Sequence, residues 1–414
     1  MEQDKGVLCH LTSLPSGTLA DAPPFMDILR RHGYNHWQML PITPPDEYRS
    51  PYSSSSAFAG WTDLAPSLDG TGKHSPEDGY WLRDWALYER IKEEQGGLPW
   101  FEWPEPLRDR WPEALAGVAV DFQSQLDFNQ VWQKFRARAE EIQLIGDLPI
   151  FIAHDSADVW AHRDLFLLDD QGMPEVVAGV PPDYFSEDGQ IWGSVLYDWQ
   201  AHRKEGWRWW RERIARMLRL FDTVRVDHFR GFHSAWAIPA GAETAREGRW
   251  IEGPADELLE ILIEEADGAG RIIAEDLGII PPEVVELRRR YGIRGMAVLQ
   301  FGFDGDPDSN PHHPSTIKED QVVYTGTHDN DTAEGWSSEG VPAGLEDMMY
   351  EGETTAKALQ RLAAESASRL SIVPLQDLLS LGSEARMNTP GTAAGNWHWR
   401  TSWEELDEGL PGPT

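Results

Sequence analysis

Val224-Arg225-Val226-Asp227-His228-Phe229-Arg230-Gly231 is the stretch on which the fold of this 414-residue chain turns. It opens with β-branched residues suited to a buried parallel strand, then breaks at Asp227 into carboxylate, imidazole and glycine. Ile272-Ile273-Ala274-Glu275-Asp276-Leu277-Gly278 and Tyr324-Thr325-Gly326-Thr327-His328-Asp329-Asn330-Asp331 repeat the pattern. Charged groups at such positions are costly to bury without a purpose. Carboxylates gathered at the downstream ends of several parallel strands are how a barrel builds acid/base and nucleophilic chemistry at its C-terminal mouth.

Working outward, eight short apolar runs appear in order, at 6–10, 36–41, 143–152, 223–227, 271–275, 296–301, 321–325 and 370–374. Stretches at 24–32, 205–220, 255–266 and 282–290 mix apolar residues with Arg and Glu at helical spacing. Strand–helix alternation over eight repeats predicts an α/β fold, a (β/α)8 TIM barrel filling 1–414 as one catalytic domain. A doubly wound sheet is the alternative, but no Gly-rich phosphate fingerprint follows the first strand. The repeat is uneven. Residues 44–140 form a candidate insertion subdomain after the second strand, with a helical piece at 80–94. Residues 154–200 form a second excursion after the third, whose Gly, Pro and aromatic content suits a structured lid.

Composition narrows the partners. Net charge is −34, from 70 acidic and 36 basic residues, which argues against nucleic acid or an anionic membrane surface. A lysine-poor acidic surface suits a salt-adapted host, or an ordinary acidic cytosolic protein. One cysteine, Cys9, rules out an intrachain disulfide and points to a reducing compartment. With neither a signal-peptide segment nor a membrane span, a cytoplasmic location is expected. Of 20 tryptophans, most belong in the core, and the rest have faces suited to stacking on pyranose rings.

Cleaving a glycosidic bond requires two carboxyl groups flanking the acetal. Strand order makes Asp227 and Glu275 neighbours across the mouth, with Asp329 facing them. Arg225, two residues before Asp227 on the same strand face, is placed to keep that carboxylate ionised. His228 and His328 adjoin acidic residues and are candidate donors to sugar hydroxyls. No metal-ligand spacing, serine-hydrolase elbow or nucleotide loop is present, so neither metal nor cofactor is expected.

These motifs resemble those of the amylomaltases, the 4-α-glucanotransferase or disproportionating enzymes. The likeness extends over His10–Pro15, 37–41, 50–60, 145–160, 178–193, 224–236, 248–254, 273–278, 295–301, 324–336 and 386–400, in the family's order. It implies a retaining α-glucan transferase with Asp227 as nucleophile, Glu275 as general acid/base and Asp329 stabilising the transition state. Tyr52, Asp147, Trp192, Arg225, His228 and His328 fall in motifs that line donor subsites. Ser50 and Gln190 are further expected substrate contacts, Tyr184 and Phe185 hold the place of an aromatic lid, and Asn388 approaches the site. The expected partner is a malto-oligosaccharide or other α-glucan; the oligomeric state is not legible. The sequence departs from the family at Ser16–Ala22, at Ser53 and Trp61, and in a shorter insertion before the third strand, all on the acceptor side. The same carboxylates would serve an α-glucan hydrolase, the second reading; a catalytically silent glucan-binding protein is a third.

Overall fold

The computed structural model describes residues 3–182, 187–392 and 394–410. Eight parallel strands form one sheet, and each falls on a predicted run. They are β1 (Asp4–Leu8), β2 (His36–Gln38), β3 (Gln143–Pro149), β4 (Thr223–Asp227), β5 (Ile272–Ala274), β6 (Gly295–Val298), β7 (Gln321–Tyr324) and β8 (Leu370–Pro374). Every strand but β5 pairs with the next in sequence and β8 pairs with β1, so the sheet wraps round as a barrel. The gap between β5 and β6 closes through a single bridge, Ile273 to Arg294.

Side-chain alternation sorts each strand between two cores. Leu8, Ile145, Ile273, Val298, Tyr324 and Ile372 fill the lumen. Their neighbours Val7, Leu144, Val224, Val226, Ile272 and Val373 face the surrounding helices. Helix Gln123–Arg138 docks on that outer layer through Trp132. Trp132 is buried, its Nε1 donates to the Leu220 carbonyl at 2.8 Å, and its ring meets Phe221 edge-on at 5.5 Å. Truncating such a residue to Ala costs about 3–5 kcal/mol.

Helices Ala22–Arg31, Asp256–Glu265 and Pro282–Arg290 lie where periodicity puts them. The stretch 205–220 differs. Its helix begins only at Arg208, because Gly206 and Trp207 take positive φ (75° and 60°) and separate it from helix Trp199–Lys204. Left-handed backbone cannot continue a right-handed helix.

The excursion after β3 is not self-contained. Its strands Val176–Val180 and Gln190–Val195 pair antiparallel, and Val176–Val180 also pairs with Ser234–Pro239 from the segment after β4. Arg249–Glu252 completes this four-stranded sheet at the rim of the barrel mouth. No helix among the described residues is long and apolar enough to cross a membrane.

Candidate active site

Register builds the site. Asp147 on β3 is paired with Arg225 on β4, and Arg225 with Ile273 on β5. One step up the same inward-facing rows come Asp227 and Glu275, side by side at the top of adjacent strands. The Arg225 guanidinium bridges two carboxylates. Its Nη1 donates to Asp147 Oδ2 at 2.6 Å and its Nη2 to Asp227 Oδ1 at 2.8 Å. Asp147 also accepts from the Tyr52 hydroxyl at 2.7 Å. Burial raises the Asp147 pKa and the adjacent Arg225 charge opposes that rise.

Glu275 stands in a different environment. Burial, reinforced by the negative charge of Asp227, pushes its carboxyl up to about 8. Two backbone amides aim it: His228 N donates to Oε2 at 2.6 Å and Leu277 N to Oε1 at 3.0 Å. His228 holds a left-handed conformation (φ 52°), a strain of about 1–2 kcal/mol for a non-glycine residue. Its ring is buried, which lowers its pKa to about 4 and keeps it neutral near pH 7. That ring stands edge-on to Trp192 with centroids 4.9 Å apart, and its Nε2 has no hydrogen-bond partner among the described residues.

Asp329 lies beyond β7 with its side chain 46% exposed. Asn388 Nδ2 donates to its Oδ1 at 2.6 Å, and His328 Nε2 is 3.4 Å from the same oxygen. Arg386 ties the two loops by donating to the Asp329 and Asn388 carbonyls, both at 2.8 Å. The His328 ring stacks on Tyr52 at 5.1 Å and 9°, and Trp397 closes on both at 5.9 Å.

Most candidates from the sequence therefore meet in one network. Gln190 joins it at one remove, accepting from Trp192 Nε1 at 3.1 Å. Ser50 does not join it: its amide donates to Asp46 Oδ1 within its own loop. Tyr184 and Phe185 lie outside the described residues. Trp397, Arg386 and Phe151, whose ring neighbours His228 and Trp192, are additions that single positions did not signal. The hints were the 386–400 stretch containing the first two and the 145–160 stretch containing Phe151. Among the described residues no group of three or more His, Cys, Asp or Glu could hold a metal ion.

Known proteins resemble this chain in sequence and fold. The family model described as 4-alpha-glucanotransferase matches residues 9–65 and 70–406. A 4-alpha-glucanotransferase of Thermus thermophilus is 42% identical over 97% of this chain and 95% of its own length. That alignment runs over 477 positions, so the relative carries segments this 414-residue chain does not. A chloroplastic/amyloplastic 4-alpha-glucanotransferase of Arabidopsis thaliana is 39% identical over 97% of this chain and 83% of that protein. The structure of an amylomaltase from Streptococcus agalactiae in complex with acarbose superposes with a TM-score of 0.91 at 31% identity, covering 98% of this chain and 97% of that one. The chain belongs to the 4-alpha-glucanotransferase family, whose members transfer α-glucan segments from one glucan chain to another.

Proposed function

We propose that Asp227 is the nucleophile, Glu275 the general acid/base and Asp329 a transition-state ligand in a retaining double displacement on malto-oligosaccharides. The observation that carries this reading is the contrast between two adjacent strand-end carboxyls. Asp227 is charge-paired with Arg225 at 2.8 Å, whereas Glu275 is buried beside that negative charge and pushed up to about 8. Two carboxyls whose environments separate them in this way divide the roles of base and acid.

In the first step Glu275, protonated at neutral pH, donates its proton to the departing glycosidic oxygen while Asp227 attacks the anomeric carbon. The C–O bond breaks, a glycosyl ester forms on Asp227, and the shortened glucan leaves with the proton. In the second step ionised Glu275 takes the proton from an acceptor 4-hydroxyl, which attacks the ester and frees Asp227. Asp329, half-exposed and oriented by Asn388, accepts from sugar hydroxyls as positive charge grows at the anomeric carbon. Tyr52, His328 and Trp397 form an aromatic wall suited to the apolar face of the reacting glucose. The neutral His228 ring, whose Nε2 has no hydrogen-bond partner among the described residues, suits a sugar hydroxyl. The S. agalactiae amylomaltase was captured in complex with acarbose, which supports a sugar ligand for this chain.

Transfer requires a sugar hydroxyl to outcompete water. Trp192 beside the site, with the sequence neighbours Tyr184 and Phe185, is read as the apolar cover favouring sugar in the acceptor position. Maltotriose separates the outcomes: a ladder of longer oligosaccharides with glucose means transfer, and maltose with glucose alone means hydrolysis. Asp227→Asn should abolish both; residual wild-type activity would refute the nucleophile assignment.

A further inference from the structure

Asp276, next to Glu275 in sequence, takes no part in the chemistry above, yet its carboxylate is buried in a charged clamp. Its Oδ1 accepts the Met296 amide at 2.8 Å, and its Oδ2 lies 2.9 Å from Arg288 Nε in an ion pair. The two side chains are 7% and 2% exposed. Arg288, from helix Pro282–Arg290, also donates to the carbonyls of Ile293 (2.8 Å) and Asp320 (2.9 Å), which precede β6 and β7.

The clamp sits where the barrel is weakest. Between β5 and β6 the ladder is reduced to one bridge, with Ala274 N donating to the Arg294 carbonyl at 2.7 Å. Past that point Met296 N bonds to the Asp276 side chain in place of a strand carbonyl. Gly295 makes room for it. A Cβ there would come within 2.6 Å of Asp276 Oδ2 and 2.7 Å of Arg288 Nε. Alternation along this strand end points Glu275 into the mouth while Ala274 and Asp276 both face away from it. On the β4 side the Glu275 backbone is held by Val226 O and Phe229 N, each at 3.0 Å. On the β6 side, among the described residues, no hydrogen bond past Ala274 holds this strand end except that of Asp276.

We infer that Asp276 is a positioning residue for Glu275: clamped by Met296 N–H and Arg288 and admitted by Gly295, it substitutes for the missing β5–β6 pairing and fixes the height of the proton donor over the glycosidic oxygen. The inference rests on the reading of Glu275 as acid/base.

Two donors test it, because α-maltosyl fluoride has a leaving group that needs little protonation and maltotriose does not. In Asp276→Asn, which keeps the shape and loses the ion pair, kcat on maltotriose should fall about ten- to a hundredfold, the scale of an ångström misplacement. KM should stay within about twofold, and the first-turnover burst of fluoride release should be largely kept, since binding is untouched and that step needs little acid help. The high-pH limb of the maltotriose profile should move as well. Gly295→Ala, which displaces the clamp while leaving both its charges, should give the same split; should Asp276→Asn fold poorly, this variant carries the test. Equal loss on both donors, loss confined to KM, or wild-type behaviour of either folded variant would overturn the inference. Glu275→Gln is the control: it should lose maltotriose turnover yet keep the first-turnover burst of fluoride release, stalling afterwards for want of a base. If it loses the fluoride burst as well, the acid/base reading falls first, and the role given to Asp276 falls with it.

Discussion

Arg225→Met removes the cation that holds the centre of this barrel together. The guanidinium is 5% exposed and contacts two carboxylates, of which the Asp147 side chain is fully buried. At about 2.7 Å, each contact is worth roughly 6 kcal/mol of gross attraction at an effective dielectric near 20. Most of that is offset by desolvation of the ions. Removing one partner leaves the other buried and unpaired, a net loss of about 3–5 kcal/mol. For a chain of this size the melting temperature should drop by about 3–6 °C at pH 7. The loss should depend on pH. Asp147 already has a raised pKa because it is buried, and losing its cation raises it further. A group whose folded pKa lies above its unfolded value stabilises the fold below the unfolded value and loses that contribution as pH rises through the folded one. The variant's deficit should therefore shrink towards pH 4–5 and widen towards neutrality. Arg225→Met combined with Asp147→Asn should recover most of the stability without recovering activity, because Asp227 still lacks its cation. Thermal denaturation of wild type, single and double variants between pH 5 and 8 is the assay. A deficit below about 1 kcal/mol, or one independent of pH, would show that the Asp147–Arg225 pair is not the buried interaction described.

Glu275, with its carboxyl pushed up to about 8, binds a proton more tightly folded than unfolded. Wild type should lose up to about 3 kcal/mol of stability through this group between pH 5 and 8. Glu275→Gln should flatten that slope, and an unchanged slope would contradict the raised pKa. Trp192→Ala removes the edge contact to His228 and a ring that is 39% exposed. Its KM for maltotriose should rise about three- to tenfold with kcat nearly kept, since a stacking contact of this kind is worth about 1 kcal/mol; progress curves at varied maltotriose decide. Tyr184→Ala should raise the ratio of hydrolysis to transfer, read as reducing ends released per oligosaccharide extended, and a lower ratio would refute the apolar-cover reading. With 70 acidic and 36 basic residues, fold and activity should persist in molar KCl, and loss of either would refute salt adaptation.

All eight barrel strands were legible because β-branched runs such as Val224–Val226 and Gln321–Tyr324 are buried on both faces. A strand of that kind needs no partner information to be recognised. The helix at 282–290 was equally plain, opening on Pro282 and carrying three arginines in its last turn. The rim sheet was not legible. Val176–Val180 pairs with Ser234–Pro239 from the far side of β4, and such pairing follows from register across loops, which periodicity does not encode. For the same reason Arg225 was expected to serve Asp227 alone, whereas β3–β4 register also sets it directly against Asp147. Trp397 reaches Tyr52 and His328 only because Arg386 pins its loop beside that of Asp329. The break at Gly206-Trp207 was hidden by helix-favouring residues on both sides.

In the proposed mechanism Asp227 becomes the glycosyl carrier while Glu275 handles the proton. Incubating Glu275→Gln with α-maltosyl fluoride, whose departure needs little acid help but whose ester lacks a base for turnover, should trap the intermediate. Digestion and mass spectrometry should then find a maltosyl group on the peptide containing Asp227, lost on addition of azide as the acceptor-like nucleophile. A maltosyl group on any other residue, or an unlabelled enzyme that still consumes the fluoride, would contradict the account.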